Sequence, residues 1–224
     1  MAGTPARVKR AIVSALYFYL MKFILARKGR MTQIFDESGR VYAGTVVMAG
    51  PVVVTQVKDV AGKDGYAAVQ VAFGDQKENR VNKPELGHTK GKAYRFLKEF
   101  KTEAGDLVVG SEIKADIFSE GDTIVIASTS KGHGFSGVVK RHGFHGGPRS
   151  HGQKHSEREA GSIGGGGRAG GRVAKGMRMA GRMGGDRVTI KNLKVLKVNG
   201  ETGEMIISGA IPGAPGALVE IMSM

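Results

Sequence analysis

The sequence predicts a mainly β fold, a closed or nearly closed barrel that is interrupted by one long loop rich in glycine and arginine. Short stretches rich in Val and Ile alternate with turn residues over 21–128 and again from residue 188. Strands of this length and spacing are typical of closed β architectures. No period of 20–50 residues repeats, which excludes solenoids and propellers.

The first segment, residues 1–20, carries three basic residues before an apolar run. Arg7, Lys9 and Arg10 precede the run over 11–21, which is 11 residues long and too short to span a bilayer. This order is typical of a signal peptide, although no small-residue cleavage site follows. We expect Met21 to be the start of the folded chain, with 1–20 an upstream-start artefact or a disordered tail. A working signal stays open as an alternative.

The apolar stretches between turn residues give the strands in order. They cover 23–26, 32–35, 41–48, 52–57, 67–73, 124–127, 188–198, 205–207 and 218–221. A turn is predicted at 28–30, and the β pattern breaks over 76–110, where a short helix or two should cover one end of the barrel. In the seventh of these strands the alternation of apolar and polar residues shifts phase near Asn192, which favours a β-bulge.

The chain is strongly basic, and its charge is concentrated in one internal segment. The formal net charge is +14, of which residues 129–187 carry +9 and residues 1–20 carry +3. The same 59 residues hold 18 of the 36 glycines and five of the six histidines. Because they contain few apolar residues, they cannot bury enough surface to offset the entropy of ordering. The segment therefore indicates an anionic partner that orders it.

The start of this segment has the spacing of a dinucleotide-binding turn. Gly132, Gly134 and Gly137 form G-x-G-x-x-G after an apolar strand, and a nucleotide-binding enzyme is the alternative function that this motif raises. The motif needs a long helix behind it, whose N-terminus binds the pyrophosphate. Gly143, followed closely by a Gly-Gly-Pro sequence at 146–148, excludes such a helix.

Other chemistries find little support in the same residues. The chain has no Cys, which excludes disulfides, zinc–thiolate sites and a cysteine nucleophile. The histidines are interleaved with Lys and Arg rather than with the carboxylates that a metal ion would need, so no metal is expected. Serines near the histidines lack an orienting acid, since Glu157 and Glu159 are the only carboxylates before Asp186.

Phosphate binding remains, because cations recur at steps along an extended path with small residues between them. Such a segment can thread between RNA helices, and Arg can stack on bases. A merely flexible, solvated loop is the alternative. The candidate RNA-binding residues are Lys131, Lys140, Arg141, His142, His145, Arg149, His151, Lys154, His155, Arg158, Arg168, Arg172, Lys175, Arg178, Arg182 and Arg187.

Five motifs stand out along the chain: MKFILARKGRMTQIFDESGRV at 21–41, KGHGFSGVVKRHGFHGGPRSHG at 131–152, GSIG at 161–164, KGMRMAGRMGGDRVTIKNLKVLKV at 175–198 and SGAIPGAPGALVEI at 208–221. Together they resemble the bacterial type of ribosomal protein L3, a universal large-subunit family. The resemblance implies a translation-protein-type β-barrel with a small α/β elaboration. It divides the chain into an extension (1–20), the first part of the barrel (21–128, with the α/β insert around 76–110), an extended loop (129–187) and the completion of the barrel (188–224).

The resemblance also implies a function. The protein would bind large-subunit (23S-type) rRNA near its 3′ end, help to nucleate subunit assembly and adjoin other large-subunit proteins, in the cytoplasm, without catalysis, cofactor, small-molecule substrate or membrane. The loop tip near the peptidyl transferase centre would be Ser162, Ile163, Gly164, Gly165, Gly166, Gly167 and Arg168. Many relatives carry Gln in this tip, sometimes methylated. Here glycine takes its place, so the modification is not expected and the tip should be mobile until it packs in rRNA.

Overall fold

The computed structural model describes residues 21–103, 105, 107–165 and 170–224. Contacts divide the chain into two compact units. Ser130–Asp186 form one, which we name the loop unit; Arg187–Met224 and the described residues up to Thr129 form the other, the strand unit. The expectations for residues 1–20 lie outside the described residues.

The structure is mainly β, as predicted. The described strands are β1 (Phe23–Phe35), β2 (Val41–Ala49), β3 (Val52–Lys58), β4 (Ala68–Asp75), β5 (Tyr94–Phe100), β6 (Glu112–Ile113), β7 (Thr123–Thr129), β8 (Phe135–Ser136), β9 (Gly181–Arg182), β10 (Arg187–Asn199), β11 (Glu204–Ser208) and β12 (Leu218–Ser223). Two short α-helices, α1 (Lys83–His88) and α2 (Val138–His142), and 3₁₀ turns at Glu78–Arg80 and Ala115–Ile117 complete the described elements. No helix in this part of the chain is long and apolar enough to cross a membrane.

Six strands of the strand unit close into a ring of antiparallel pairs, in the order β1-β12-β7-β10-β11-β2. β2 returns to pair with β1, so no edge is left open. Alternate side chains of a strand point to opposite faces, so every second residue points into the ring. In β11, Met205 and Ile207 are fully buried, while Glu204, the first residue of the strand, is exposed.

Four strands form a second sheet of order β5-β4-β3-β6, so the predicted strands at 52–57 and 67–73 are not part of the ring. Phe23 at the start of β1 stacks on Phe100 of β5, with ring centroids 4.6 Å apart. The first four residues of β1 are all buried, because this strand is covered on both faces.

The turn predicted at 28–30 is wrong, since β1 runs through it without a break. The register with β2 shifts between Lys28 and Met31, which is a bulge rather than a turn. Gly29 sits where an added Cβ would lie 2.9 Å from the Val46 carbonyl oxygen, so glycine allows the close approach of the two strands.

The bulge predicted near Asn192 is confirmed. The register of β10 with β7 shifts between Ile190 and Leu193, and Asn192 has φ of 60°. Asn is one of the few residues other than glycine that adopts this left-handed conformation readily.

The segment 76–110 contains the predicted short helix, α1, but also a strand that the sequence did not predict. Tyr94–Phe100 forms β5, the edge of the second sheet, where three charged side chains are exposed among half-buried apolar ones. Charges on an exposed edge strand oppose pairing with another chain, and they mask the strand pattern in the sequence.

Candidate nucleic-acid interface

The loop unit begins and ends as a pair of hydrogen-bonded backbone segments. The Ser130 amide donates to the Asp186 carbonyl oxygen at 2.8 Å, and the His133 amide donates to the Met183 carbonyl oxygen at 2.8 Å. The Met183 amide donates to the Gly134 carbonyl oxygen at 2.9 Å, and the pairing continues as β8 with β9. The outgoing and returning segments therefore form one ribbon.

Helix α2 follows the ribbon and is short. Gly137 precedes it with extended backbone, and Gly143 ends it in the left-handed conformation after five residues. The G-x-G-x-x-G motif thus leads into a two-residue strand and a single helical turn, and not into the long helix that a dinucleotide requires.

Helix α2 directs two candidate residues onto the returning segment. Arg141 Nη1 donates to the Met179 carbonyl oxygen at 2.8 Å, and His142 Nε2 lies 3.0 Å from the same oxygen. The Arg141 guanidinium also covers Gly181, where an added Cβ would lie 2.6 Å from Nη1. These two side chains hold the ribbon together from one face.

A second set of contacts within the loop unit joins residues 146–149 to Glu157. The Gly147 amide donates to the Glu157 carbonyl oxygen at 2.8 Å, and the Arg149 side chain pairs with the Glu157 carboxylate. Gly146 has φ of 77°, and an added Cβ would lie 2.1 Å from the Glu157 carbonyl oxygen. The turn between these residues is therefore fixed by backbone contacts that only glycine permits.

Most of the candidate cations have no partner among the residues that the structure describes. The pair of Arg149 with Glu157 is the sole ion pair among the described residues of the loop unit, and Arg178 lies over the Phe144 ring at 5.9 Å. We name as unpaired cations the exposed basic side chains of this unit for which the described residues give no hydrogen bond, ion pair or ring contact: Lys131, Lys140, Lys154, Arg158, Arg172, Lys175 and Arg182.

The other candidates are placed as follows. His145, His151 and His155 are exposed, and no group of three or more His, Asp or Glu among the described residues could hold a metal ion. Of the predicted tip, Ser162, Ile163, Gly164 and Gly165 are exposed. Gly166, Gly167 and Arg168 lie outside the described residues.

Arg187 differs from the rest, because it belongs to the strand unit and has a partner there. Its guanidinium pairs with Glu220, whose carboxylate also meets Lys98 Nζ at 3.1 Å. Burial opposes ionisation of Glu220, but the hydrogen bonds from Arg187 and Lys98 outweigh it, so the pKa of this carboxyl lies below its ordinary value. Arg187 therefore stabilises the strand unit.

The loop unit has almost no interior. Among its described residues only Ser136 and Val138 are buried. The ring of Phe135 is 80% exposed, and sequence reasoning did not select this residue. Its signal was an aromatic residue among glycines in a cationic segment, the combination that nucleic-acid-binding segments use.

Comparison with known proteins decides the family. The family model described as ribosomal protein L3 matches residues 100–210. A curated relative from Nostoc sp., named large ribosomal subunit protein uL3, is 51% identical over 203 residues, which cover 89% of this chain and 95% of the relative. The chain belongs to the ribosomal protein L3 family.

Two further relatives that carry the same name come from other bacteria. The protein of Herpetosiphon aurantiacus is 50% identical over 90% of this chain and 96% of its own length. That of Saccharopolyspora erythraea is 52% identical over 91% and 95%. The ribosomal protein L3 family consists of structural proteins and not of enzymes, which removes the nucleotide-binding enzyme as a function for this member.

Proposed function

We propose that the chain is a structural constituent of the large ribosomal subunit and that its loop unit binds large-subunit rRNA. The relatives, which carry the name large ribosomal subunit protein, support the first part. The partners are then large-subunit rRNA and neighbouring large-subunit proteins, and the place of action is the ribosome in the cytoplasm. By its resemblance to the family, the barrel would be of the translation-protein type. It would bind near the 3′ end of the rRNA and help to nucleate subunit assembly there.

One observation carries the proposal for the loop unit. Its described residues bury only Ser136 and Val138, and they expose seven cations that no acidic side chain neutralises. A segment without a core is ordered by its partner, and a series of unpaired cations is complementary to the phosphates of a nucleic acid. The mutual repulsion of these cations is relieved when that partner is bound.

The contacts divide the candidate residues into two roles. Arg141, His142 and Arg149 hold the loop unit in shape through the hydrogen bonds described above. The unpaired cations, with the exposed histidines, would contact phosphates and bases. Most of this binding would depend on backbone phosphates and shape rather than on base identity. The tip at 162–168 would reach toward the peptidyl transferase centre, which is made of RNA.

The test compares two triple variants of the full chain that lose the same charge. Lys140, Arg158 and Arg172 are changed to Gln in the first variant; Lys63, Lys77 and Lys83, which are exposed in the strand unit, are changed in the second. At about 0.1 M salt the first should bind a transcript of large-subunit rRNA about 10²-fold more weakly than the parent, because each lost phosphate contact costs several-fold. The second variant should lose much less affinity for the transcript. Equal losses would contradict the assignment of binding to the loop unit.

A further inference from the structure

Phe135 is the most exposed large apolar side chain among the described residues, at 80%. Its neighbour Ser136 is buried, so the ribbon of β8 and β9 has an inner face and an outer face. The Arg141 guanidinium covers the inner face at Gly181. The ring of Phe135 is therefore held outward by a ribbon that is fixed from behind.

An unpaired cation stands beside the ring. Phe135 and Arg182 are direct partners in the antiparallel register of β8 with β9. Side chains that are directly opposite in such a pair point to the same face. An aromatic ring and a guanidinium that has no acidic partner in the described part of the chain thus share the outer face of the ribbon.

The glycines of the G-x-G-x-x-G motif surround Phe135 in the sequence and leave space near it. An added Cβ at Gly132, Gly134 or Gly137 would meet nothing within 4 Å. The space at these three Cβ positions is therefore open to a flat ligand.

We propose that Phe135 and Arg182 form a stacking site for an unpaired base of large-subunit rRNA. The base would stack on the Phe135 ring, and the Arg182 guanidinium would contact a phosphate of the same RNA strand or the edge of that base. An apolar ring among cations fits a nucleotide, which is both aromatic and anionic, better than it fits an apolar protein surface. This inference rests on the proposed function, since it names one site within the rRNA-binding loop unit.

The first test uses the absence of tryptophan from the chain. Phe135→Trp introduces a single tryptophan at the site, whose emission can be excited selectively over that of the tyrosines. Phe35→Trp provides a control at a residue that is 63% exposed and precedes two acidic residues. With a saturating large-subunit rRNA transcript, the emission of Phe135→Trp should be strongly quenched by base stacking, whereas that of Phe35→Trp should change little. Unchanged emission of Phe135→Trp while the transcript is bound would overturn the stacking site and leave the proposed function intact.

The second test separates stacking from charge. Phe135→Ala should weaken binding about 5- to 150-fold without changing the dependence of affinity on salt, because no phosphate contact is lost. Arg182→Gln should weaken binding and lower the salt slope by about 1. Parent-like affinity of Phe135→Ala would refute the site. A parent chain that fails to bind the transcript would refute the proposed function itself.

Discussion

The unpaired cations of the loop unit determine how rRNA binding should respond to salt. Seven such side chains are exposed among its described residues. If each neutralises one phosphate, the slope of log K against log salt should lie between about −5 for single strands and about −6 for duplex. Affinity should then fall about 10³- to 10⁴-fold between roughly 50 and 200 mM monovalent salt.

The assay is filter binding of the full chain to a large-subunit rRNA transcript at constant Mg²⁺, so that the RNA fold is held fixed while monovalent salt varies. The triple variant of Lys140, Arg158 and Arg172 should reduce the slope by about 2 to 3, and the matched triple variant of the strand unit should leave it close to that of the parent. A parent slope shallower than about −2 would refute the reasoning, because the unpaired cations would not then be meeting phosphates.

Three further predictions concern the two units separately. Glu220→Gln should lower the free energy of unfolding by about 1 kcal/mol in urea melts at pH 7, a modest value because its cationic partners are half exposed. Because the pKa of Glu220 is lowered in the folded state, the stability difference between parent and variant should have its full size above the ordinary carboxyl pKa and disappear as the pH falls through the folded pKa. A stability difference that grows in acid would contradict this assignment. Gly146→Ala places a Cβ against the Glu157 carbonyl oxygen, so amide exchange in the loop unit should accelerate while the melting of the strand unit stays unchanged, and an unchanged exchange rate at Gly147 would count against this set of contacts. Asn192→Val should cost about 1–2 kcal/mol because Val resists positive φ, whereas Asn192→Gly should be nearly neutral; equal losses would show that φ is not the cause.

The ring strands were predictable because their alternation is local. In β10 the apolar residues change from even positions, Val188 and Ile190, to odd positions, Leu193 and Val195. The register shift with β7 lies between Ile190 and Leu193, where this change occurs. The prediction of a turn at 28–30 was wrong. Lys-Gly-Arg favours a turn locally, but the strand continues across it because the residues on both sides pair with β2. β5 escaped notice because edge strands carry charges.

The site was predictable as a segment but not as a set of roles. Lys140 and Arg141 are adjacent and both basic, yet Arg141 donates to the Met179 carbonyl oxygen while Lys140 is exposed and has no partner among the described residues. The orientation of α2 decides this difference, and one sequence does not encode it visibly. Arg187 has a partner on another strand, Glu220, 33 residues away in the chain. Phe135 was missed because a search for charge does not select an apolar ring.

Cross-linking within assembled large subunits tests the central claim most directly. Subunits that contain this chain are irradiated with ultraviolet light, and the peptides joined to rRNA are identified by mass spectrometry. The cross-linked peptides should concentrate between residues 131 and 182, with Phe135 among the joined residues. Cross-links confined to the strand unit, with none in the loop unit, would contradict the account.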